Sequence, residues 1–392
     1  MRPVALGPLA VLVVAMVLAC AGALWSEPAH ALDRTFAGSV QLDEHFVPTE
    51  PSANARLQDF VGFTAELSGK LAVDLTDHVS ANVKVCYGCH GFETDMAYFD
   101  LRVSDELNFR VGRFSPSFGA FNLRHDPANH KLADKPLPYD MGRMLRMRDW
   151  NLGVLPSPFP DNGVEIDGSH WLGDSLSIDY AVYAVSGFKA DAAALDLDFV
   201  QSHSGNLYYV DDNTTPAGGA RLDATLKLGG DADLTLGASG MYGYFDPANR
   251  LSYLILGTDA WLRIGRTNFR AEWLVRRQEF DTGNAAAFKY TVPPSGGDYF
   301  VKHGAYIEAE QPLVPGFDLL ARVDGLVRLG NVAAASSLSN DASVLRYTVG
   351  ASYVVARGVR VKLTPELWQF DYDDPSGRKL ETSLHLAVAG AF

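Results

Sequence analysis

The sequence predicts an all-β fold: a transmembrane, antiparallel, up-and-down β-barrel of about sixteen strands, formed by residues 32–392. Three observations lead to it. The last thirteen residues alternate between apolar and polar or small side chains. Short and long connections alternate between the predicted strands, as in barrels whose turns lie on one side and whose loops lie on the other. After the N-terminal segment, no window approaches the roughly 20 apolar residues of a membrane helix.

Residues 1–31 have the pattern of a cleaved export signal. Arg2 gives the signal its positively charged N-terminal region, and residues 9–18 form its short apolar region. Ala29-His30-Ala31 matches a small-residue cleavage site. Lipoprotein processing at Cys20 is an alternative, but a leucine only two residues before the cysteine fits that signal poorly. The chain is therefore predicted to leave the cytoplasm, with residue 32 as the first of the mature protein.

The C-terminal strand has one apolar face and one polar or small face, because successive side chains of a strand point to opposite sides. The even positions carry Leu380, Leu384, Leu386, Val388 and Phe392, and the odd positions include Glu381, Ser383 and His385. This strand resembles the closing strand of bacterial outer-membrane barrels, in which a terminal aromatic residue is the assembly signal. A half-buried edge strand of a soluble sandwich has the same pattern, so the rest of the chain decides between them.

Period-two alternation, interrupted by Gly, Asp, Asn and Pro, predicts sixteen strands. They cover 35–43, 58–75, 79–86, 96–103, 107–114, 162–170, 175–186, 218–228, 233–244, 253–264, 268–279, 302–311, 318–329, 343–355, 359–371 and 379–392. Short turns are predicted at 76–78, 104–106, 171–174, 229–232, 265–267, 312–317 and 356–358. Longer loops are predicted at 44–57, 87–95, 115–161, 187–217, 245–252, 280–301, 330–342 and 372–378.

Charged residues share one face of several predicted strands, as Arg322, Asp324 and Arg328 do. Charge facing lipid is costly, so these side chains are predicted to line a water-filled lumen. Trp261, Trp273 and Trp368 are predicted on the membrane-facing side. The net charge of −14 argues against a nucleic-acid partner.

The loop at 115–161 is the longest connection, and a connection of this length is usually functional. The architecture resembles that of sixteen-strand general porins, whose third extracellular loop folds into the lumen and narrows it. The segment 109–119 is also similar to one in phosphate-selective porins. The resemblance implies that basic residues line the channel and attract anions; the candidates are Arg113, Arg124, Lys131, Lys135, Arg143, Arg146 and Arg148. In the alternative interpretation, Arg113, Arg143, Arg146 and Arg148 pair with nearby aspartates and hold the loop in place.

Cys86-Tyr87-Gly88-Cys89-His90 matches C-x-x-C-H, the pattern of haem c attachment. The two thiols would bond the haem vinyl groups and His90 would bind the haem iron. His125, His130, Met96 and Met141 are candidate second iron ligands. A disulfide between Cys86 and Cys89 is the alternative, which needs no cofactor. A zinc site lacks a fourth ligand.

The resemblance implies a non-enzymatic porin of the Gram-negative outer membrane, through which small ions and solutes, with phosphate among the candidate anions, diffuse passively. Its partners would be membrane lipid, lipopolysaccharide and two further copies in a homotrimer. The alternative function is a barrel that carries haem c on Cys86, Cys89 and His90 and takes part in electron transfer. The cofactor expectation is accordingly either haem c or none.

Overall fold

Among the residues that a computed structural model of the chain describes, sixteen antiparallel strands form a closed, all-β barrel. The described residues are 33–47, 62–88, 91–139, 154–155, 159–190, 199–200, 213–279, 281, 298–329, 342–371 and 380–392, so the predicted export signal lies outside them. No helix in these ranges is long and apolar enough to span a membrane.

The strands follow one another around the ring in chain order. They are β1 (Asp33–Phe46), β2 (Gly62–Asp74), β3 (Val79–Gly88), β4 (Gly91–Ser104), β5 (Leu107–Phe114), β6 (Asp161–Leu172), β7 (Leu176–Val185), β8 (Lys189–Ala190), β9 (Phe199–Val200), β10 (Ala217–Gly229), β11 (Ala232–Tyr244), β12 (Ser252–Ile264), β13 (Thr267–Glu279), β14 (Tyr299–Val314), β15 (Phe317–Leu329), β16 (Ala342–Ala356), β17 (Val359–Asp371) and β18 (Leu380–Ala391). The short β8 and β9 pair only with each other, and the other sixteen form the barrel.

The barrel closes where β1 pairs with β18, from Ser39 opposite Ala391 to Phe46 opposite Leu384. At the end of this seam, the Gly38 amide donates to the Phe392 carbonyl at 2.9 Å, and the Phe392 amide donates back at 3.1 Å. The rings of Phe36 and Phe392 lie 5.7 Å apart between centroids. Closure gives hydrogen-bond partners to the backbone N–H and C=O groups that the two edge strands of an open sheet would leave unpaired.

All sixteen predicted strands are present, but the predicted loop at 87–95 is wrong. β3 and β4 remain paired as far as Gly88 opposite Gly91. A bulge accommodates Asp95, because Lys84 lies opposite Met96 while Val85 lies opposite Thr94. The glycines that suggested a loop instead stand at the last pair of a hairpin.

Short turns join the strands at the opposite end of the barrel from the long connections. Gly265 and Gly358 lie in two of these turns with φ of 57° and 74°. Side chains with a Cβ rarely adopt this left-handed conformation, so glycine permits the tight reversal.

The outer face of the barrel is apolar and exposed, and much of the inner face is polar. On β18, Leu386 and Val388 are 47% and 42% exposed, whereas Glu381 and His385 are 3% and 0% exposed. The predicted two-faced pattern of this strand is therefore confirmed.

A hydrophobic cluster also lies on inward positions, which the predicted polar lumen did not include. Trp368 belongs to it and is 1% exposed, so its predicted membrane-facing position is wrong. Trp261 also faces inward, because Arg124 of the long connection after β5 lies over its ring, so the same prediction is wrong for Trp261. Other members of the cluster from the barrel strands include Tyr183, Tyr253, Ile255, Leu274, Tyr306, Leu326, Val344 and Phe370. Phe118, Phe121, Leu137 and Tyr139, from the long connection after β5, pack in the same cluster. These contacts explain how large apolar side chains are accommodated on the inner face.

Candidate functional site

The candidate site is the segment 115–139 together with the inward side chains that it contacts. Two short 3-10 turns, Asn122–Arg124 and Leu137–Tyr139, are its regular structure. Backbone groups outside helices and sheets need other partners when buried. Side chains from ten strands provide contacts: Gln41, Lys84, Glu165, Ser239, Trp261, Glu272, Glu310, Asp324, Arg346 and Lys362. The segment is thus connected to strands from β1 to β17.

Glu272 of β13 joins two distant parts of the segment. Its carboxylate accepts hydrogen bonds from the backbone amides of Ala120, at 2.9 Å, and Phe121, at 3.2 Å. The Tyr139 hydroxyl donates to the same carboxylate at 2.5 Å. Burial, with Glu272 beside it, raises the pKa of Tyr139, so this hydroxyl remains a donor at neutral pH.

Asp134 is the centre of a buried ionic network. Nη2 of Arg322 donates to its two carboxylate oxygens at 2.8 and 2.9 Å, and Arg346 forms a second ion pair with it. Arg346 also donates to the carbonyl of Lys135 at 2.7 Å and to Asp324 at 2.5 Å. Buried charges are costly to leave unpaired. Asp134 therefore holds the segment to β15 and β16.

Lys84 holds the other side of the segment. Its Nζ lies 2.7 Å from Asp126, 2.9 Å from Asp95 and 2.9 Å from Nε2 of His125. Nδ1 of His125 lies 2.7 Å from the Asn122 carbonyl, so Nδ1 is assigned the proton and Nε2 accepts from lysine. Burial, followed by Lys84, lowers the pKa of His125 to about 4. His125 is therefore neutral at pH 7.

The basic residues predicted to line the channel contact protein groups where they are described. Arg113 donates to the Thr94 carbonyl at 3.1 Å, and Arg124 lies 4.8 Å from the centre of the Trp261 ring. Lys131 pairs with two strand carboxylates, Glu310 at 2.5 Å and Asp318 at 3.0 Å. The side chain of Lys135 is half-buried. The remaining candidates, Arg143, Arg146 and Arg148, lie outside the described residues.

Lys131 holds the segment in place by pairing with carboxylates of β14 and β15. The matching strand residues were missed at the sequence level. In the sequence, each of them is a single charged residue at an inward strand position. Such a position does not show which residue of the segment it will pair with.

Of the three residues proposed to bind haem, the structure describes Cys86. Its Sγ lies 3.6 Å from a carboxylate oxygen of Asp95, and the charged groups of Lys84 and Asp126 are also close to it. Cofactor sites are mostly lined by apolar side chains. The described surroundings of Cys86 are charged rather than apolar, and Cys89 and His90 lie outside the described residues. Haem c and the disulfide both stay predictions, and the intact mass of the mature protein distinguishes them.

The candidate second iron ligands have other contacts where they are described. Both ring nitrogens of His125 face protein groups, as above. Nδ1 of His130 lies 2.9 Å from the Leu132 carbonyl, and Met96 lies opposite Lys84 in the sheet. Met141 lies outside the described part of the chain.

No protein-family profile matches the chain. No curated protein matches it in sequence. Solved structures match its fold. An anion-selective porin from Comamonas acidovorans is 11% identical with a TM-score of 0.57, over 92% of this chain and 100% of that chain. The outer membrane channel DcaP of Acinetobacter baumannii is 11% identical with a TM-score of 0.57, over 93% and 99%.

A third similar structure is the trimer form of OmpT, an outer membrane protein of Vibrio cholerae. It is 11% identical with a TM-score of 0.52, over 93% of this chain and 100% of that chain. At this identity the likeness concerns the fold alone. That fold is the closed, sixteen-strand antiparallel barrel of outer-membrane porins.

Proposed function

We propose that the chain is a porin of the outer membrane, through which small ions and solutes diffuse passively. The observation that carries the proposal is a closed barrel with an exposed apolar outer face and charged side chains inside it. An apolar exterior matches lipid, and closure leaves no unpaired strand edge in the bilayer core. This function requires no chemical reaction. Membrane lipid and lipopolysaccharide would then contact the outer face.

We further propose that the connection 115–161 forms the constriction of this channel. Support comes from the contacts of residues 115–139 with inward side chains on ten strands, among them Gln41, Glu272 and Lys362. A segment attached on so many sides would occupy much of the cross-section of a sixteen-strand barrel. The expected pore is therefore narrow.

The charge of the preferred solute depends on two opposing groups of residues. Among the buried charged residues that the structure describes, thirteen are acidic and eight are basic. A preference for anions, phosphate included, requires that Arg143, Arg146 and Arg148 outweigh this acidic excess at the narrowest point. The reversal potential in a potassium chloride gradient measures the balance. Replacing the three arginines with glutamine would shift it toward cations.

Channel recording in planar bilayers tests the function. The purified barrel should give ohmic conductance, and a variant with residues 116–138 replaced by a short Gly-Ser linker should give a larger one. A variant shortened by the same number of residues within the predicted loop 280–301 is the matched control and should conduct like the wild type. Folded protein that never conducts, in either form, contradicts the proposal.

A homotrimer is the proposed assembly, by analogy with the trimer form of the Vibrio cholerae protein. Light scattering in detergent should give the mass of three chains. A monomeric mass under conditions in which the barrel conducts would contradict this part of the proposal.

A further inference from the structure

Three buried side chains on adjacent strands converge at the seam of the barrel. His45 of β1, Glu366 of β17 and His385 of β18 present ligand atoms that all lie within 4.8 Å of one another. Register explains the convergence, because His45 lies opposite His385 and Glu366 lies opposite Ser383. We propose that these residues bind a divalent transition-metal ion of the zinc type, which links the first strand to the last two.

The chemistry of the three donors suits such an ion. Two imidazoles and one carboxylate are a ligand set that zinc accepts, with bonds of about 2.0–2.2 Å. Two ligands of one tetrahedral ion then lie roughly 3.4 Å apart. Nε2 of His385 and Oε2 of Glu366 are 3.5 Å apart. The rings of His45 and His385 are stacked with centroids 4.1 Å apart, so the His45 ring must turn about Cβ–Cγ to share the ion.

A second carboxylate orients His385 as in known metal sites. Asp43 lies 2.9 Å from Nδ1 of His385, and this contact directs Nε2 toward Glu366. Histidines that bind metals commonly donate their other ring nitrogen to a carboxylate in this way. Oε2 of Glu366 accepts hydrogen bonds from Nε1 of Trp368, at 3.0 Å, and from the Ser383 hydroxyl, at 2.7 Å. To bind the ion through this oxygen, Glu366 must give up one of the two, and the Ser383 hydroxyl is free to rotate away.

The local charge also favours a cation. Glu366 forms an ion pair with Arg346. Arg346 in turn pairs with Asp134 and Asp324, and Asp134 pairs with Arg322. With Asp43 and with Glu308, which lies 3.8 Å from Arg322, five carboxylates stand against two guanidiniums and the Lys362 ammonium among these described charges. Buried charges need compensation, and a divalent ion at the three ligands supplies it. A protonated His385 between Asp43 and Glu366 is the competing way to supply positive charge.

Zinc binding to the full-length barrel, refolded without a histidine tag, tests the proposal. We expect one zinc ion per chain by equilibrium dialysis and elemental analysis. Asp43→Asn should weaken binding by about 10–100-fold, the usual effect of losing such a carboxylate. His45→Asn and His385→Gln should each weaken it at least as much. His170→Asn, an exposed histidine beside Glu106 at a turn, is the matched control and should leave the affinity unchanged.

Thermal unfolding provides a second readout, because a ligand that binds only the folded state stabilises it. Zinc should raise the unfolding temperature of the wild type and of His170→Asn, but not of His45→Asn. If His385→Gln fails to fold, Asp43→Asn and His45→Asn still decide the question. Absence of bound zinc, or equal affinity in the site variants and the control, overturns the proposal. Neither readout depends on channel conductance, so the porin function is tested separately.

Discussion

Asp134 shows how a buried charge can fix the position of a long connection. Its carboxylate is shared by Arg322 and Arg346, and all three side chains are almost fully buried. Asp134→Ala should lower the free energy of unfolding by roughly 3 kcal/mol, since removing a member of a buried ion pair leaves uncompensated charge. It should also raise the channel conductance by releasing the segment.

Denaturant titration and bilayer recording check this expectation. The control is Asp77→Ala, in which an exposed aspartate of the first short turn is removed. An Asp134→Ala protein with the stability and conductance of the control would contradict the role assigned to the network.

His125 makes attachment of the segment dependent on pH. Burial and Lys84 hold its pKa at about 4, although Asp95 and Asp126, which face the same ring, act in the opposite direction. In the released segment the pKa would return to its ordinary value of about 6.5. As pH falls below 6.5, the released state binds the proton and the attached state does not.

The contribution of His125 to attachment should therefore fall by about 2 kcal/mol between pH 7 and pH 5. Asp134 acts in the opposite direction over the same range, because burial raises its pKa to about 6. Limited proteolysis of the segment across this pH range is the measurement. His125→Asn removes the histidine, so acidification should increase cleavage more in the wild type than in this variant. An unchanged profile in that variant would assign the effect to other groups.

At the scale of the element, the seam between β1 and β18 depends on the lack of a side chain at Gly38. A Cβ there would overlap the Phe392 ring and lie 2.6 Å from the Ser68 carbonyl oxygen. Gly38→Val should displace Phe392 and slow barrel closure. Refolding into detergent, followed on gels without heating, measures the folded fraction.

Gly218 of β10 provides the matched control, because no atom lies within 4 Å of a Cβ added there. Gly218→Val should refold like the wild type. If both variants refold equally well, the tight packing at the seam does not limit closure.

Strand positions were predictable because alternation is a local property of the chain. All sixteen barrel strands and the outward side of β18 follow from it. The ends of β3 and β4 were not predictable, since Gly88 and Gly91 look like loop residues until their pairing is known. The bulge at Asp95 has the same explanation: only the partner strand shows which residue is the extra one.

At the scale of the whole molecule, the exposed apolar surface distinguishes a membrane barrel from a soluble one. Val349 lies near the middle of β16 and is 63% exposed. Val349→Arg should cost about 2–4 kcal/mol of unfolding free energy in lipid bilayers, because the arginine would face the hydrocarbon core. Val355→Arg, near the end of the same strand and 52% exposed, should cost about 0–1 kcal/mol.

Unfolding in lipid vesicles compares the two arginine variants directly. A barrel whose exposed face met water would tolerate both substitutions equally. Equal costs would therefore contradict membrane insertion at this depth.

The sequence by itself determined the class of fold, the number of strands and the two faces of β18, because these features repeat over neighbouring residues. Tertiary structure alone decided which charges meet. Asp134 and Arg322 are 188 residues apart, and Asp43 and His385 are 342 residues apart. Alternation tells which face a side chain occupies, but not its height in the barrel or its partner across the ring. The inward cluster around Trp368 and the convergence of His45, Glu366 and His385 depend on barrel closure and register, which bring distant segments together.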